Sequence, residues 1–254
     1  AGARAAEADI LIENGLIFDG SGARPFSADI RIKDGKKSAI GDLDGDAAHV
    51  IDGDGLFIAP GFIDIHNHAE FPWRQPERFA VESFLRQGVT TVVTGPDGFG
   101  EYDVSAYFAR INTVGTGPNV LHTVGHNTIR RLAMGGDFDR APTVKEMELM
   151  KNMVRHAMED GAAGLSSGLY YVPGTYASTE EVIELAKIAS EYDGIYTSHI
   201  RDEGDFLYDD PEKDGLLDAI KEAIRIGEEG GLVSNITHIK AEGLLGEEYW
   251  GKSV

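Results

Sequence analysis

The sequence contains no cysteine among its 254 residues. That absence excludes disulfides, thiolate catalysis and sulfur-ligated metal, but it does not decide the cellular compartment. No apolar run approaches the roughly 20 residues of a membrane-spanning helix, and residues 1–6 lack the apolar segment of a signal peptide. We expect a cytoplasmic protein with no membrane partner, or a periplasmic or secreted one if a leader was removed before Ala1.

Basic residues are scarce. Lys and Arg number 23 against 43 Asp and Glu, which gives a formal net charge of −20. Such a surface repels nucleic acid and anionic membranes, so neither is an expected partner. Hydrophobic residues make up 42% of the chain, enough for a full core in one large domain or two smaller ones.

The chain changes pattern near residue 58. Before it, short β-type runs are broken by Asn14-Gly15, Asp19-Gly20 and Asp34-Gly35, which are strong hairpin signals. We therefore predict a small antiparallel β domain at residues 1–58, and a second domain at residues 59–254.

In the second domain, strands alternate with helices, which indicates a parallel sheet with covering helices. A capping box, Thr143 to Glu146, opens one of the helices. The six predicted strands are residues 62–65, 89–94, 120–124, 162–166, 195–199 and 233–238, and the other helices are residues 77–87, 105–112, 179–191 and 216–229. A closed (β/α)₈ barrel needs eight strands, so about six of its β/α units are present.

The first predicted strand ends in His66-Asn67-His68. Side chains two positions apart on a strand point to the same face, so both imidazoles could bind one metal ion. Imidazole is a natural ligand for Zn²⁺ and its neighbours.

Three more candidate ligands follow later strands: Asp97 after the second, His199 after the fifth and His238 after the sixth. In a (β/α)₈ barrel, catalytic groups sit at these carboxyl ends. Four imidazoles and a carboxylate would hold one or two divalent cations, with Asp97 placed to bridge them. Such a site activates water and polarises a carbonyl, as amide hydrolysis requires.

The sequence resembles the amidohydrolase superfamily in Pro60-Gly61-Phe62-Ile63-Asp64-Ile65-His66-Asn67-His68. It further resembles the D-aminoacylase branch, the N-acyl-D-amino-acid deacylases. Four further stretches carry that resemblance: residues 88–93, residues 164–169, residues 197–203 and residues 237–240.

The resemblance implies a TIM-like metal-dependent hydrolase barrel with a small N-terminal β-sandwich, and zinc at the barrel mouth. His66 and His68 match ligands of the more weakly held metal, and His199 and His238 match those of the tighter one. The substrate would be a small N-acyl amino acid. Tyr171 and Lys240 match residues that hold its carboxylate, and an ammonium beside the metal suits that role.

The chain departs from this pattern at two points. Relatives carry a cysteine where this sequence has Asp97, a harder ligand, so a divalent metal other than zinc is an alternative. The aspartate of the eighth strand, which serves as general base, would lie beyond Val254. Either these residues are part of a longer protein, or a complementary chain or second copy completes the barrel.

Two alternative functions stay open. One is hydrolysis of cyclic amides, as in dihydroorotases and hydantoinases, although no lysine lies at a suitable strand end to bridge two metals. The other is a catalytically silent metal-binding half-barrel that needs a partner chain.

Other motifs point to structural roles. Gly164-Leu165-Ser166-Ser167-Gly168 fits the nucleophile-elbow pattern, but a loop rather than a helix is predicted to follow. The acidic run 203–210 is expected to be an exposed loop rather than a calcium site. His126 would either line the pocket or form a structural hydrogen bond, and we expect the remaining histidines, His49, His122 and His156, to be structural or surface residues.

Overall fold

A computed structural model describes residues 8–71, 73, 78–204 and 215–240. The chain divides into two compact units, Ala1–Gly61 and Phe62–Val254. No helix among the described residues has the length and hydropathy needed to cross a bilayer.

The first unit is one mixed five-stranded sheet in its described part. Its strands are β1 (Ala8–Ile17), β2 (Phe26–Lys33), β3 (Lys36–Gly41), β4 (Ala47–Asp52) and β5 (Phe57–Ile58). The order is β3-β2-β1-β4, with β5 also beside β1. Because β4 and β5 run parallel to β1, the prediction of a purely antiparallel unit was wrong.

Two turn signals had different outcomes. Asp34-Gly35 joins β2 to β3 as predicted, with both residues in the left-handed region. Asn14-Gly15 lies inside β1, where the pairing with β2 shifts register, so this signal marks a bulge rather than a hairpin.

The described residues of the second unit form six parallel strands in sequence order: β6 (Phe62–Asp64), β7 (Val89–Thr94), β8 (Asn119–Gly125), β9 (Gly164–Gly168), β10 (Ile195–His199) and β11 (Val233–Ile236). Each strand pairs with the next one along the chain. Right-handed crossovers then place the helices on one face, and the sheet curls as in a barrel instead of reversing as in a doubly wound fold. The predicted α/β half-barrel with six strands is thus confirmed.

In the described part of the chain, six α-helices join these strands: α1 (Glu82–Leu85), α2 (Val104–Val114), α3 (His126–Met134), α4 (Val144–Glu159), α5 (Thr179–Ser190) and α6 (Gly215–Gly230). The capping box of α4 forms as predicted. Helix α1 is much shorter than the predicted 77–87, of which residue 77 lies outside the described residues. Helix α3 was not predicted, because Gly125-His126-Asn127 looks like a loop.

The main core lies between the sheet and its helices. Val124, Leu165 and Tyr196 on three neighbouring strands pack against apolar residues of α4 and α5. This layer is almost fully buried and fixes β8, β9 and β10 as a rigid platform.

The two outer strands differ from this platform. β6 pairs only with β7, and β11 only with β10, among the described residues. Phe62 is 63% exposed, Ile63 62% and Val233 74%. Residues 62–65 were predicted to form a buried strand, but the strand is an open edge whose apolar side chains are uncovered.

Candidate metal centre

The five predicted ligands lie together at the carboxyl ends of the parallel strands. His66 and His68 follow β6, Asp97 follows β7, His199 ends β10, and His238 lies two residues after β11. The sheet runs from β6 to β11 in order, so its curl is what gathers residues from both outer strands.

Turn hydrogen bonds, rather than strand alternation, orient the first two histidines. β6 ends at Asp64, whose Oδ1 accepts from the His66 backbone N–H at 3.1 Å. The buried Asn67 side chain donates to the Val93 carbonyl on β7 at 3.3 Å and accepts from the Ala69 N–H at 3.1 Å. The strand-face reasoning was therefore wrong, although both imidazoles do reach one site.

Asp97 sits at the tip of a tightly packed turn. Its φ of 58° lies in the left-handed region, which aspartate tolerates better than most residues. A Cβ on Gly98 would lie 2.3 Å from Asn127 Oδ1, and a Cβ on Gly168 would lie 2.1 Å from the Asp97 carbonyl oxygen. The glycines thus let the turn pack onto β9 and fix the carboxylate over the centre of the strand ends.

All four imidazoles converge on that carboxylate. His199 Nδ1 lies 3.2 Å from Asp97 Oδ1, and His68 Nε2 lies 3.3 Å from Oδ2. His66 Nε2 and His238 Nε2 approach Oδ1 at 3.8 and 3.9 Å. The structure therefore brings every predicted ligand to one point.

The electrostatics favour charge states that suit cation binding. Burial opposes ionisation of Asp97, but its hydrogen bond with His199 and the nearby His66 and His68 rings outweigh burial and lower its pKa. Burial also lowers the pKa of His66 and, together with the charges of His199 and Lys240, that of His238. An ionised carboxylate and neutral imidazoles are the forms that bind metals.

The residues present fit a divalent cation. Ligand atoms of His66, Asp97 and His238 all lie within 4.8 Å of one another. His199 is confined between two carboxylates, with Nδ1 facing Asp97 and the buried Nε2 lying 3.4 Å from Glu203 without a hydrogen bond. A neutral ring has one N–H and one nitrogen lone pair, so its lone pair must face one of the two carboxylates, which is an unfavourable contact. A cation between Nδ1 and Asp97 would remove that conflict, and the nitrogen and oxygen donors suit zinc.

The two predicted substrate contacts lie at the same rim. Lys240 Nζ forms an ion pair with Glu203 and lies 3.3 Å from His238 Nδ1. The Tyr171 ring centroid lies 4.6 Å from that of His199, closer than the 5.7 Å of Tyr170. The roles of Lys240 and Tyr171 in binding a carboxylate stay predictions.

Sequence reasoning missed Glu203. It was expected on an exposed acidic loop, yet it is 3% exposed and faces Lys240, His199 and His238. The remainder of that run, residues 205–210, lies outside the described residues. Glu203 stands four positions after His199, so its place in the 197–203 motif was the available signal.

The remaining motifs are structural. Buried His126 pairs with Glu181 at 2.9 Å, which decides between its two predicted roles. His122 is buried and lies 2.9 Å from Thr94 Oγ1, whereas His49 and His156 are exposed. Ser166 is buried and donates to the Gly95 carbonyl, so it is no exposed nucleophile.

Comparisons with known proteins agree with this architecture. The chain is 33% identical to D-aminoacylase of Alcaligenes xylosoxydans xylosoxydans over 96% of its length, covering 52% of that protein. It superposes with a TM-score of 0.84 on N-acyl-D-glutamate deacylase of Bordetella bronchiseptica, which was solved with zinc and a phosphonate inhibitor. The two sequences are 33% identical, and the match covers 97% of this chain and 54% of the other. A D-aminoacylase with a binuclear metal centre gives 0.81 at 30% identity, over 94% and 53% of the two chains. No family model matches.

The solved structures that share this fold include a D-aminoacylase that defines a subset of the amidohydrolases. The chain is homologous to the D-aminoacylases and N-acyl-D-glutamate deacylases. It spans about half the length of these relatives.

Proposed function

We propose that the chain supplies the metal-holding half of a hydrolase that cleaves the amide bond of N-acyl-D-amino acids. The observation that carries this proposal is the convergence of four imidazoles on Asp97 at the carboxyl ends of the strands. The names of its homologues, D-aminoacylase and the N-acyl-D-glutamate and N-acyl-D-aspartate deacylases, support the substrate class.

Five residues would hold one or two zinc ions: His66, His68, Asp97, His199 and His238. A bound cation would supply Lewis acidity to the amide carbonyl and would activate the attacking water. Asp97 and His199 are almost completely buried, so the electrostatic interactions of these two side chains are weakly screened.

Lys240 and Tyr171 would bind the free carboxylate of the substrate. The Lys240 side chain is 43% exposed, so a ligand can reach its ammonium group from solvent. The ammonium is already paired with Glu203, and a substrate carboxylate would share or replace that partner. Tyr171 lies beside His199 and would place its phenol near the substrate carboxylate.

A residue outside the described part of the chain, or one from a complementary chain or a second copy, would supply the general base. Among the described residues nothing pairs with the outer edges of β6 and β11, which supports this proposal because parallel edge strands are normally covered or paired. The chain also spans about half the length of its relatives.

The test is amide hydrolysis by the complete protein that carries this sequence. Zinc-loaded protein is assayed with N-acetyl-D-amino acids bearing neutral and acidic side chains, with their L enantiomers, and with a hydantoin as the cyclic amide. We expect free D-amino acid to be released, and Lys240→Met to raise KM more than it lowers kcat. Lys187→Met is the matched control, because Lys187 pairs with Glu184 on the surface of α5. Zinc-loaded protein that hydrolyses no N-acyl-D-amino acid would contradict the proposal.

A further inference from the structure

Glu203 is the buried carboxylate at the rim that the proposed function leaves without a role. It lies four residues after the end of β10, and its side chain is 3% exposed. An ionised carboxylate buried to that extent is stable only when cations or N–H donors compensate it.

Three side chains meet one oxygen of this carboxylate. Lys240 Nζ forms the ion pair, His238 Nδ1 lies 3.1 Å from Oε1, and His199 Nε2 lies 3.4 Å from Oε1. Each histidine presents its other nitrogen to Asp97. Glu203 and Asp97 therefore lie on opposite sides of the same two rings.

The position of the ring proton on His199 and His238 depends on which nitrogen binds the metal. A neutral ring that offers one nitrogen to a cation carries its only proton on the other. For His199 the second nitrogen is Nε2 and for His238 it is Nδ1, and both face Glu203. No hydrogen bond joins Glu203 to either ring in this structure, where Lys240 Nζ lies 3.3 Å from His238 Nδ1. With a metal bound, a carboxylate at that position would accept from both N–H groups and fix both tautomers.

We propose that Glu203 is a positioning residue, which orients His199 and His238 toward the metal centre and holds Lys240 beside them. The inference rests on the proposed function, because it assigns Glu203 to the same metal site. It makes Glu203 the partner of the two histidines expected to bind the tighter metal ion.

Two other readings of Glu203 make different predictions. Glu203 could itself be a ligand, since a ligand atom from each of His199, Glu203 and His238 lies within 4.8 Å of the other two. The ammonium of Lys240 already lies beside Glu203 Oε1 and His238 Nδ1, so a cation there would have to displace it. Glu203 could instead be only the counter-ion of Lys240. In that case, replacing either residue should change zinc affinity equally.

Zinc affinity of matched variants separates these readings. Zinc binding to the purified protein is measured by competition with a chromogenic chelator. We expect Glu203→Gln to weaken binding about 10- to 100-fold, the usual effect of removing such a partner. Lys240→Met should leave affinity unchanged or increase it, because it removes a positive charge next to the site. Glu222→Gln is the control for losing a mostly buried ion pair, since Glu222 contacts Arg201 and Thr179.

Nitrogen-15 spectra of the histidine rings supply the second measurement. In zinc-loaded wild-type protein we expect the ring protons on His199 Nε2 and His238 Nδ1, and slow exchange of both with water. Glu203→Gln should speed that exchange, whereas Glu222→Gln should not. If Glu203→Gln fails to fold, the wild-type spectra and Lys240→Met still test the inference.

Several results would overturn the inference. Equal zinc affinity and equal ring-proton exchange in Glu203→Gln and wild type would remove any positioning role. Equal weakening by Glu203→Gln and Lys240→Met would reduce Glu203 to a counter-ion. A lower zinc stoichiometry in Glu203→Gln, rather than a lower affinity, would make it a ligand. Wild-type protein that binds no zinc would instead contradict the proposed function itself.

Discussion

Asp97 Oδ1 lies 3.2 Å from His199 Nδ1, although 102 residues separate them in the chain. Asp97 follows β7 and His199 is the last residue of β10, and β8 and β9 separate these two strands in the sheet. The contact forms because the sheet curls and because Asp97 projects inward from a turn packed on glycines. The geometry of the metal centre therefore depends on how closely the Asp97 turn packs against these glycines.

Replacing Gly168 should disturb Asp97 without touching a ligand. An alanine Cβ there would lie 2.1 Å from the Asp97 carbonyl oxygen. That oxygen belongs to the backbone, so it cannot move away as the end of a flexible side chain would. We expect Gly168→Ala to lower the free energy of unfolding by about 3 kcal/mol and to weaken zinc binding. Urea unfolding and chelator competition measure the two effects.

Gly135→Ala serves as its control. Gly135, unlike Gly168, has a positive φ, and the space around its Cβ position is open. Its cost should be about 1 kcal/mol, from backbone strain alone, with unchanged zinc affinity. Similar results for the two variants would mean that close packing at Gly168 does not position Asp97.

Asp97→Cys should change the metal preference of the site. A thiolate is a softer ligand than a carboxylate and favours zinc over manganese or magnesium. We expect Asp97→Cys to bind zinc and to discriminate more strongly against manganese, whereas Asp97→Asn binds both metals more weakly. Isothermal titration with each metal gives the comparison, and wild-type selectivity in Asp97→Cys would show that residue 97 is not a ligand.

Glu181 should be a major source of stability. It is 5% exposed and joins Arg130 and His126, both fully buried. Burial opposes its ionisation, but the hydrogen bonds and charges of His126 and Arg130 prevail and lower its pKa. Glu181→Gln leaves a buried guanidinium without its anion, so we expect a loss of about 3 to 5 kcal/mol in urea unfolding.

The neighbouring residue provides the matched control for Glu181. Glu180 is 66% exposed and pairs with Arg225 on the surface. Glu180→Gln should leave the free energy of unfolding nearly unchanged, because solvent screens an exposed ion pair. A loss of similar size in both variants would contradict the account of the buried network.

His122 should make stability depend on pH. Burial lowers its pKa from 6.5 to about 4, so the unfolded chain binds more protons between these values. The free energy of unfolding should therefore fall as pH drops, by about 1 kcal/mol between about pH 7 and about pH 5.5. Urea unfolding at both pH values should show a smaller decrease for His122→Gln. An identical decrease in variant and wild type would assign the effect to other groups.

Strand periodicity and the positions of polar residues after strands predicted much of this molecule. The six parallel strands and all five candidate ligands were found because apolar runs ended in His66, His199 and His238. Local rules failed where tertiary context decided the outcome. Asn14-Gly15 became a bulge because β1 continues along β2 on both sides of it. Glu203 was expected in an exposed acidic loop because the side chains that bury it, Lys240 and two histidines, come partly from a strand that lies far away in the sequence.

The zinc content of the chelator-free protein tests the proposed metal centre most directly. Elemental analysis should find one or two equivalents of zinc in wild type. His199→Ala should lose the tighter ion, because His199 is the most buried imidazole of the cluster. His156→Ala on the exposed face of α4 should retain it. Folded wild-type protein that binds no divalent metal, or His199→Ala with undiminished zinc, would contradict the assignment of this cluster as a metal centre.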